Sequence, residues 1–290
     1  MDLENRTPDE TVNYTIEHPL KEFAWLAGGI LGTMAIVTFL AGYFAGELAA
    51  RMPYRYEKAL ATDAVHMLRE SDSGKGQNPS YAIERELNHL ANRLSQHMNL
   101  PQDMEIRVHY QDTAMVNAFA TIGANIVICG GLLNRVADEN TLAMVLAHEI
   151  AHAKLRHPAR SLGRGMAVGI ILSVVDSGMG RSAAGGAMGV AGNASLMKFS
   201  RDQERDADAA ALATLYKVYG HAGGAEDLFR LLEGSHDDSP KLRASMLSTH
   251  PLSDERITDI AAQVTKHGWP NDGMRTPLNL ALRLTKSSIP

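Results

Sequence analysis

His148-Glu149-Ile150-Ala151-His152 predicts a metal-binding helix and is the most informative pentapeptide of this chain. Histidines four positions apart project from the same face of a helix, so their ring nitrogens can bind one metal ion. Glu149 points slightly away from that axis and can therefore reach a water molecule rather than the metal. The preceding run, Leu142 to Ala147, is apolar, which predicts a helix buried beneath an active-site cleft.

A catalytic zinc site needs a third protein ligand, and a second helical segment can supply it. Residues 200–212 are rich in carboxylates, with Glu204 and Asp208 four positions apart and hence on one face. Glu204 would complete a His-His-Glu set, and Asp208 would accept the free ring N–H of a ligating histidine. Taken alone, the segment is more typical of a solvated charged helix, because Arg201 and Arg205 each precede one of these carboxylates by three positions. Beside the upstream pentapeptide, the ligand interpretation is favoured.

Four motifs in a fixed order resemble those of one enzyme family. They are Asn117-Ala118-Phe119-Ala120 followed by Ile126-Val127-Ile128, His148-Glu149-x-x-His152, Glu204-x-x-Ala207-Asp208, and His250-Pro251 with Arg256. This set resembles the membrane-associated zinc metallopeptidases, which include the CAAX prenyl endopeptidases, the heat-shock protease HtpX and the Oma- and BepA-like proteases. The resemblance covers about residues 80–265 and says little about the first eighty residues.

One zinc ion per chain is the predicted cofactor, bound by His148, His152 and Glu204 in a site of the gluzincin type. Zinc in such a site activates a water molecule and polarises the scissile carbonyl of a peptide. Glu149 would take the proton of that water and deliver it to the leaving amine. The predicted reaction is therefore metal-assisted hydrolysis of a peptide bond.

The role of His250 has more than one interpretation. The resemblance implies that His250 donates to the oxyanion of the tetrahedral intermediate, with Arg256 assisting it or holding it in place. Alternatively, His250 occupies the open position of the zinc and keeps the enzyme idle until substrate displaces it. A third interpretation is a turn before a helix capped by Ser253, which is compatible with either role.

Substrate is expected to bind as an extended strand against an exposed sheet edge formed by Asn117-Ala118-Phe119-Ala120. Asn117 either holds the substrate backbone or closes a turn, and the sequence favours neither. The other histidines, His157 among them, lack a partner at metal-binding spacing. We interpret them as surface or structural residues.

The composition excludes several classes of function. A net charge of −5 gives no electrostatic argument for binding nucleic acid, so no such partner is expected. The single cysteine, Cys129, excludes an intramolecular disulfide framework and a cysteine-based zinc site. Because it ends the apolar run Ile126-Val127-Ile128-Cys129, we predict a buried structural thiol.

Residues 23–46 contain no charged side chain and predict a transmembrane anchor. These 24 residues would rise about 36 Å as a helix, enough to cross a hydrocarbon core of about 30 Å. Trp25 and Tyr43 lie near the two ends, where interfacial aromatic side chains are found. Acidic residues before the segment disfavour a cleaved signal peptide. A helix buried in a soluble protein is the remaining alternative.

The orientation of this single span depends on a small charge asymmetry. Three basic residues follow the span closely and two precede it, namely Arg51, Arg55 and Lys58 against Arg6 and Lys21. That excess of one favours a cytoplasmic catalytic domain. The Oma- and BepA-like proteases face the opposite compartment, so the resemblance points the other way. The predicted localisation is the membrane, with the side of the catalytic domain left open.

Residues 161–196 form a second apolar segment. Met166 to Val175 is uncharged but too short to cross a membrane. Asp176 and Arg181 interrupt the segment, and Ala183 to Ala194 is mostly Gly and Ala. Either it is an ordinary packed helix followed by a flexible loop, or it is a re-entrant or interfacial element or a lid over the cleft.

The expected fold class is α+β, a zincin-like and mostly helical catalytic domain with a small antiparallel sheet, preceded by one transmembrane helix. Apolar spacing predicts helices over residues 55–70 and 80–98. Alternation and apolar runs predict strands over residues 104–110, 115–120 and 125–128. The expected domains are a polar segment (1–22), the transmembrane anchor (23–50), the zinc metallopeptidase domain (55–267) and a C-terminal tail (268–290).

Three functions are compatible with these features. The first is a membrane-anchored zinc endopeptidase acting on protein substrates, for which the resemblance suggests quality control of membrane or envelope proteins. CAAX processing is disfavoured, because that activity goes with a multi-span chamber and this chain has one clear span. The second is a zinc-stabilised membrane scaffold or chaperone that binds clients without cleavage, although a structural zinc site has no use for Glu149. The third is a zinc hydrolase of a non-peptide substrate.

Overall fold

The first helix of the chain stands apart from the rest in its exposure. The computed structural model describes residues 19–61, 79–178, 199–233, 250 and 254–283, and it begins with α1 (Pro19–Arg51). Large apolar side chains along α1 are exposed, among them Trp25 at 76% and Phe39 at 72%. Within the described residues, Leu20–Arg51 is the one helix long and apolar enough to cross a membrane. Such exposure is incompatible with a helix buried in a soluble core.

Between α1 and the sheet, the residues that the structure describes form two helices. They are α2 (residues 54–61) and α3 (Pro79–Ser95). The predicted helix over 55–70 is confirmed for its first part, and its remainder lies outside the described residues. The buried face of α3 follows the apolar spacing of the sequence, because Ile83, Leu87, Leu90 and Leu94 all lie in the core.

A three-stranded sheet follows α3 in the chain. Its strands are β1 (Arg107–Gln111), β2 (Ala118–Thr121) and β3 (Asn125–Cys129), in the spatial order β1-β3-β2. Every residue of the central strand β3 is buried. β2 pairs with β3 in the antiparallel direction, but β1 pairs with β3 in the parallel direction. The prediction of an antiparallel sheet is therefore wrong, because the sheet is mixed.

The reason lies in the connections between the strands. A short 3-10 turn (Ile122–Ala124) joins β2 to β3, and so short a link enforces antiparallel pairing. The link between β1 and β2, residues 112–117, carries the chain past the position that β3 later fills. β3 then enters between the two earlier strands and lies parallel to β1. Alternation of apolar residues predicts strands and buried faces but not their relative direction.

The two edges of this sheet differ in the groups that contact their backbone. The Asn88 side chain accepts from the Val108 N–H at 2.9 Å and donates to the Val108 carbonyl at 2.7 Å. The carboxylate of Glu84 accepts from the Tyr110 N–H at 3.0 Å. Side chains of α3 therefore satisfy the outer edge of β1, which blocks strand addition there. β2 forms the other edge of the sheet, and its residues Ala118 and Ala120 are buried as well.

The helical body is built around one fully buried helix. Asp138 caps that helix by accepting from the Thr141 N–H at 2.8 Å, and its residues from Asn140 to Ala153 are all buried. It carries the pentapeptide His148–His152 into the middle of the domain. The helices after the sheet are α4 (Gly130–Leu133), α5 (Glu139–Lys154), α6 (His157–Gly178), α7 (Arg201–Tyr219), α8 (Ala225–Glu233), α9 (Asp254–His267) and α10 (Leu280–Arg283).

α6 packs in the antiparallel direction along α1. A Cβ on Gly163 would lie 2.5 Å from the Ala45 carbonyl oxygen, and one on Gly46 would lie 2.9 Å from the Arg160 carbonyl oxygen. The two backbones therefore approach more closely than larger residues would allow. Arg160 and Glu47 form an ion pair of 2.8 Å between the helices. The first part of the segment 161–196 is thus a packed helix, and its Gly- and Ala-rich part lies outside the described residues.

The reactivity of Cys129 follows from its burial. Its side chain is fully buried at the end of β3, and burial raises the pKa of the thiol to about 11. Because the thiolate is the reactive form, we expect native protein at pH 7.5 to release no thionitrobenzoate from Ellman's reagent. One thiol per chain should react after unfolding in guanidinium chloride. Rapid reaction of the native protein would show that Cys129 is accessible and contradict this packing.

Candidate metal centre

Four buried side chains from three parts of the chain meet at one point. They are His148 and His152 on α5, Glu204 on α7, and His250, and each is at most 3% exposed. One potential ligand atom from each lies within 4.8 Å of all the others. The sequence predicted three of these residues as ligands and left open whether His250 joins them.

The distances within this cluster are short enough for its members to bind one metal ion. His148 Nε2 lies 3.0 Å from His152 Nε2 and 3.3 Å from His250 Nδ1. Glu204 carboxylate oxygens lie 3.5 Å from Nε2 of His148, 3.5 Å from Nε2 of His152 and 3.1 Å from Nδ1 of His250. Metal–ligand bonds of 2.0–2.1 Å with tetrahedral angles give ligand separations of about 3.4 Å. The three nitrogens and one carboxylate therefore fit a single metal ion.

A buried ion-pair network surrounds the carboxylates of α7. Asp208 Oδ1 lies 2.9 Å from His148 Nδ1, on the side of the ring away from the cluster. Arg256 donates to both oxygens of Asp208, at 2.7 and 2.9 Å, and contacts Glu204 at 2.8 Å. Burial opposes ionisation of Asp208, but His148 and Arg256 outweigh it and lower the pKa of that carboxyl. Burial also opposes ionisation of Glu204, and His250 and His148 reverse that effect, so its pKa is lowered too.

The exposed ion pairs of α7 differ from those that the sequence suggested. Arg201 pairs with Glu255 and Arg205 with Asp202, both on the solvent side of the helix. Glu204 and Asp208 lie on the buried side of the helix. These two carboxylates are therefore not part of a solvated charged face. Arg256 was expected to assist His250 or hold it in place. Its closest contacts are instead with Glu204 and Asp208, and Glu204 contacts both Arg256 and His250.

His157 is a site residue that sequence reasoning missed. Its Nδ1 lies 2.9 Å from Nδ1 of His152, and its side chain is 2% exposed. Burial lowers the pKa of His157 to about 4, so the ring is neutral and can accept the N–H that a ligating His152 carries. Helical spacing cannot reveal this pair, because the turn at Leu155 and Arg156 separates the two histidines. Arg156 adopts a left-handed conformation there (φ 63°) and its guanidinium pairs with Glu57.

We expect His157→Phe to weaken zinc binding by about 10–100-fold, because His152 loses the acceptor that orients its ring. The aromatic replacement keeps the packing against Phe199, whose ring lies 6.0 Å from that of His157. His157→Gln, which retains an acceptor, should recover part of the affinity, and the exposed His89→Phe should change nothing. Competition with a chelating dye measures each zinc affinity. Equal affinity for His157→Phe and the parent chain would assign His157 to packing alone.

Glu149 lies between the metal cluster and the outer edge of β2. One oxygen, Oε2, accepts from the backbone N–H of Ala120 at 2.8 Å. The other, Oε1, lies 3.4 Å from Nε2 of His250. The side chain is fully buried, and this burial raises the pKa of its carboxyl. A carboxylate with a raised pKa is better suited to accept a proton near neutral pH.

The backbone of β2 presents hydrogen-bonding groups towards Glu149. The Cys129 N–H donates to the Asn117 carbonyl at 3.1 Å, so alternate residues of β2 face β3. Ala118 and Ala120 consequently direct their backbone groups to the free edge, in agreement with the Ala120–Glu149 hydrogen bond. Asn117 is 3% exposed, and its Oδ1 has no hydrogen-bond partner in the part of the chain that the structure describes. Phe119 is partly exposed, whereas Ala118 and Ala120 are buried at 0% and 7% exposed. The prediction that Asn117-Ala118-Phe119-Ala120 forms an exposed edge is therefore wrong for three of its four residues, because this strand packs close to α5, where Glu149 contacts it.

The family follows from comparison of the sequence with known proteins. The sequence model of peptidase family M48 matches residues 82–264, which include every residue of the metal cluster, Glu149 and the β2 edge. The chain belongs to peptidase family M48. This membership confirms the resemblance found in the motifs and accounts for a metal cluster beside a glutamate on a buried helix. It says nothing of α1, which lies before the matched residues.

Individual M48 relatives extend this comparison. The mitochondrial metalloendopeptidase OMA1 of Schizosaccharomyces pombe is 25% identical over 254 residues, 83% of this chain and 72% of that protein. The beta-barrel assembly-enhancing protease of Yersinia pestis is 28% identical over 184 residues, 60% of this chain and 37% of that protein. The beta-barrel assembly-enhancing protease homologue of Vibrio cholerae is 33% identical over 155 residues, 50% of this chain and 31% of that protein. The chain thus spans about a third of the length of the two bacterial relatives.

Proposed function

We propose that this chain is a membrane-anchored, zinc-dependent endopeptidase that hydrolyses peptide bonds of protein substrates. The observation that carries the proposal is the set of four buried ligand atoms within 4.8 Å of one another, beside Glu149 and the outer edge of β2. A metal site, a base and a place for an extended peptide are the three parts that such a reaction needs. Membership of family M48 supports the same conclusion.

Zinc is the metal that suits this donor set. Imidazole nitrogens with one carboxylate, and no thiolate, are typical of catalytic zinc sites. We assign His148, His152 and Glu204 as ligands of one zinc ion per chain, with Asp208 and His157 orienting the two histidines. Bound zinc would polarise the scissile carbonyl and lower the pKa of a water molecule.

Glu149 is assigned as the general base. Its buried carboxylate lies beside the metal ligands, and its Oε2 is held by the Ala120 N–H. The other oxygen is within 3.4 Å of the His250 ring, so it is directed to the space above the cluster. From this position it can accept the proton of an attacking water molecule and pass it to the leaving amine. Proton transfer of this kind typically contributes about 10²–10⁴-fold to the rate.

Substrate is proposed to add as a strand to β2. The outer edge of β2 carries the backbone groups of Ala118 and the carbonyl of Ala120, and the buried Oδ1 of Asn117 has no hydrogen-bond partner among the described residues. Because Ala118 and Ala120 are buried, the proposal requires neighbouring residues to move when substrate binds. Backbone pairing requires an extended chain but little side-chain selection, which suits unfolded or misassembled protein segments. The blocked edge of β1 leaves this one edge for the purpose among the described strands.

His250 is proposed to hold the enzyme in a latent state. Its Nδ1 lies among the ligand atoms, at 3.3 Å from His148 Nε2, and its Nε2 faces Glu149. In this arrangement the imidazole occupies the fourth ligand position and also the space before the base. Entry of a substrate would require the ring to move aside, after which it could donate to the oxyanion as the motif resemblance implies. Pro251 and the predicted cap Ser253 lie outside the described residues.

The membrane anchor and the biological role are proposed together. α1 has the length and exposure of a single-pass anchor, and relatives include proteases named for a mitochondrial location and for beta-barrel assembly. We therefore propose quality control of membrane or envelope proteins. The side of the membrane that carries the catalytic domain, and the domain boundaries 1–22, 23–50, 55–267 and 268–290, stay predictions.

One observation favours a second function. Four protein ligands are typical of structural zinc sites, whereas catalytic sites keep a position open. If His250 never leaves the metal, the chain would be a zinc-stabilised scaffold or chaperone that binds clients without cleavage. Glu149 argues against this alternative, because a buried carboxylate beside a closed site would be destabilising without a task.

The test is cleavage of casein by the full-length chain purified in detergent, with His250→Ala beside it. We expect slow, zinc-dependent cleavage that a chelator stops and added zinc restores, and faster cleavage by His250→Ala if latency is the main restraint. Zinc content is measured on both proteins. One zinc per chain without cleavage by either protein would support the scaffold. Cleavage that survives complete removal of zinc would contradict the assigned chemistry.

A further inference from the structure

A groove between α1 and α6 combines apolar walls with one unpaired cation. It has a volume of about 600 Å³, within the range of 300–1,000 Å³ that is usual for ligand sites. Its walls are apolar and aromatic side chains, with Arg164 of α6 at one end. The side chains that the argument uses are Leu31, Phe39 and Tyr43 of α1 and Val168 and Arg164 of α6.

Arg164 is held beside this groove by the close packing of the two helices. A Cβ on Gly46 would lie 2.9 Å from Cγ of Arg164, so the arginine stem lies over the glycine and fills the space of its missing side chain. The neighbouring Arg160 is neutralised by Glu47 at 2.8 Å. Among the ion pairs of the described residues, none includes Arg164, and its side chain is exposed. The guanidinium is therefore available to an anion from outside the chain.

The position of Arg164 along α1 matches the level of lipid headgroups. The uncharged segment of α1 ends at Gly46, which is the residue that the arginine stem covers. Side chains of a helix lean towards its N-terminus, which for α6 is the end nearest the catalytic domain and the aqueous phase. From Tyr43 to Leu31 the apolar wall then extends inward by about 18 Å along α1. A cation at the surface and an apolar wall below it are the two features that a phospholipid requires.

We propose that this groove binds one anionic phospholipid of the surrounding bilayer. Its phosphate would lie against Arg164, and one acyl chain would follow the wall from Tyr43 and Phe39 to Leu31. Charge selects this occupant over a second copy of the chain, since another α1 would cover the apolar wall and leave Arg164 unpaired. The proposal requires α1 to lie in a bilayer, and it does not depend on peptidase activity.

The test is native mass spectrometry of the full-length chain in detergent, with dioleoylphosphatidylglycerol or dioleoylphosphatidylcholine added. We expect phosphatidylglycerol to bind about five- to tenfold more tightly than phosphatidylcholine. Arg164→Gln should remove that preference. Arg51→Gln removes a basic residue at the same end of α1 that does not line the groove, and it should change the preference less than twofold. Ala35→Phe, which places a ring in the groove, should weaken binding of both lipids.

Circular dichroism and zinc content establish that each variant is folded, so that a lost preference can be assigned to the site. Equal binding of the two lipids by the parent chain would overturn the proposal. Loss of the preference in Arg51→Gln to the same extent as in Arg164→Gln would also overturn it, because general surface charge would then explain the effect. A dimer that excludes both lipids from the groove would assign the surface to a second copy instead.

Discussion

Glu149→Gln is expected to lower the rate of casein cleavage by about 10²–10⁴-fold while the chain keeps its zinc. The amide has nearly the shape of the carboxylate and can still accept from the Ala120 N–H through its oxygen. It cannot accept a proton from water, so the base is lost and the metal ligands are untouched. The measurement is the initial rate of cleavage by the variant and by the parent chain, together with the zinc content of both.

A matched control for this variant is Glu105→Gln, which changes an exposed glutamate in an ion pair with Lys58. Exposed pairs contribute little, so this control should cleave at the parent rate. Two results would count against the assignment. Residual activity above about one tenth of the parent rate would mean that another group serves as base. Loss of zinc from Glu149→Gln would mean that this carboxylate belongs to the metal site itself.

Arg256→Leu is expected to destabilise the zinc-free protein by about 3–5 kcal/mol. The substitution leaves two carboxylates, Asp208 and Glu204, buried without the guanidinium that contacts both. Removal of one partner from a buried ion pair has this large effect because the remaining charge has neither water nor a counter-ion. Thermal unfolding followed by circular dichroism should show a midpoint lower by about 10 °C. Added zinc should recover part of the loss, since the ion supplies positive charge near Glu204.

Arg205→Leu is the matched control, because Arg205 lies on the solvent side of α7 and pairs with the exposed Asp202. Exposed pairs contribute little to stability because water screens them, so its midpoint should move by no more than about 3 °C. Equal shifts for Arg256→Leu and Arg205→Leu would show that the buried network does not stabilise the fold. In that case the proposed arrangement of Asp208 around His148 would need revision.

The sequence predicted most of the residues that meet in this site, because they follow local rules. His148 and His152 share a helix face by spacing, and Glu204 and Asp208 share another for the same reason. The burial of His148 and His152 could be anticipated from the apolar run before the pentapeptide, whereas the sequence of α7 taken alone favoured a solvated helix. The long uncharged segment likewise predicted α1, since length and absence of charge are properties of the sequence alone.

What the sequence did not reveal depends on contacts between distant elements. The parallel pairing of β1 with β3 follows from the order in which strands enter the sheet, which alternation does not encode. His157 reaches His152 through the left-handed Arg156, a turn that no residue spacing indicates. Arg256 lies on Asp208 and Glu204 because α9 packs on α7. It was therefore harder to predict which side chain a charged residue contacts than to predict whether that residue is buried.

The central claim, a zinc ion held by nitrogen and oxygen ligands at the end of α5, is tested most directly by zinc-edge X-ray absorption on the purified chain. We predict one zinc per chain in a shell of four nitrogen and oxygen atoms at about 2.0–2.1 Å, with the outer scattering of imidazole rings. His152→Ala should lose that signal. A chain that binds no zinc after purification and reconstitution, or a shell that contains sulfur at about 2.3 Å, would contradict the account.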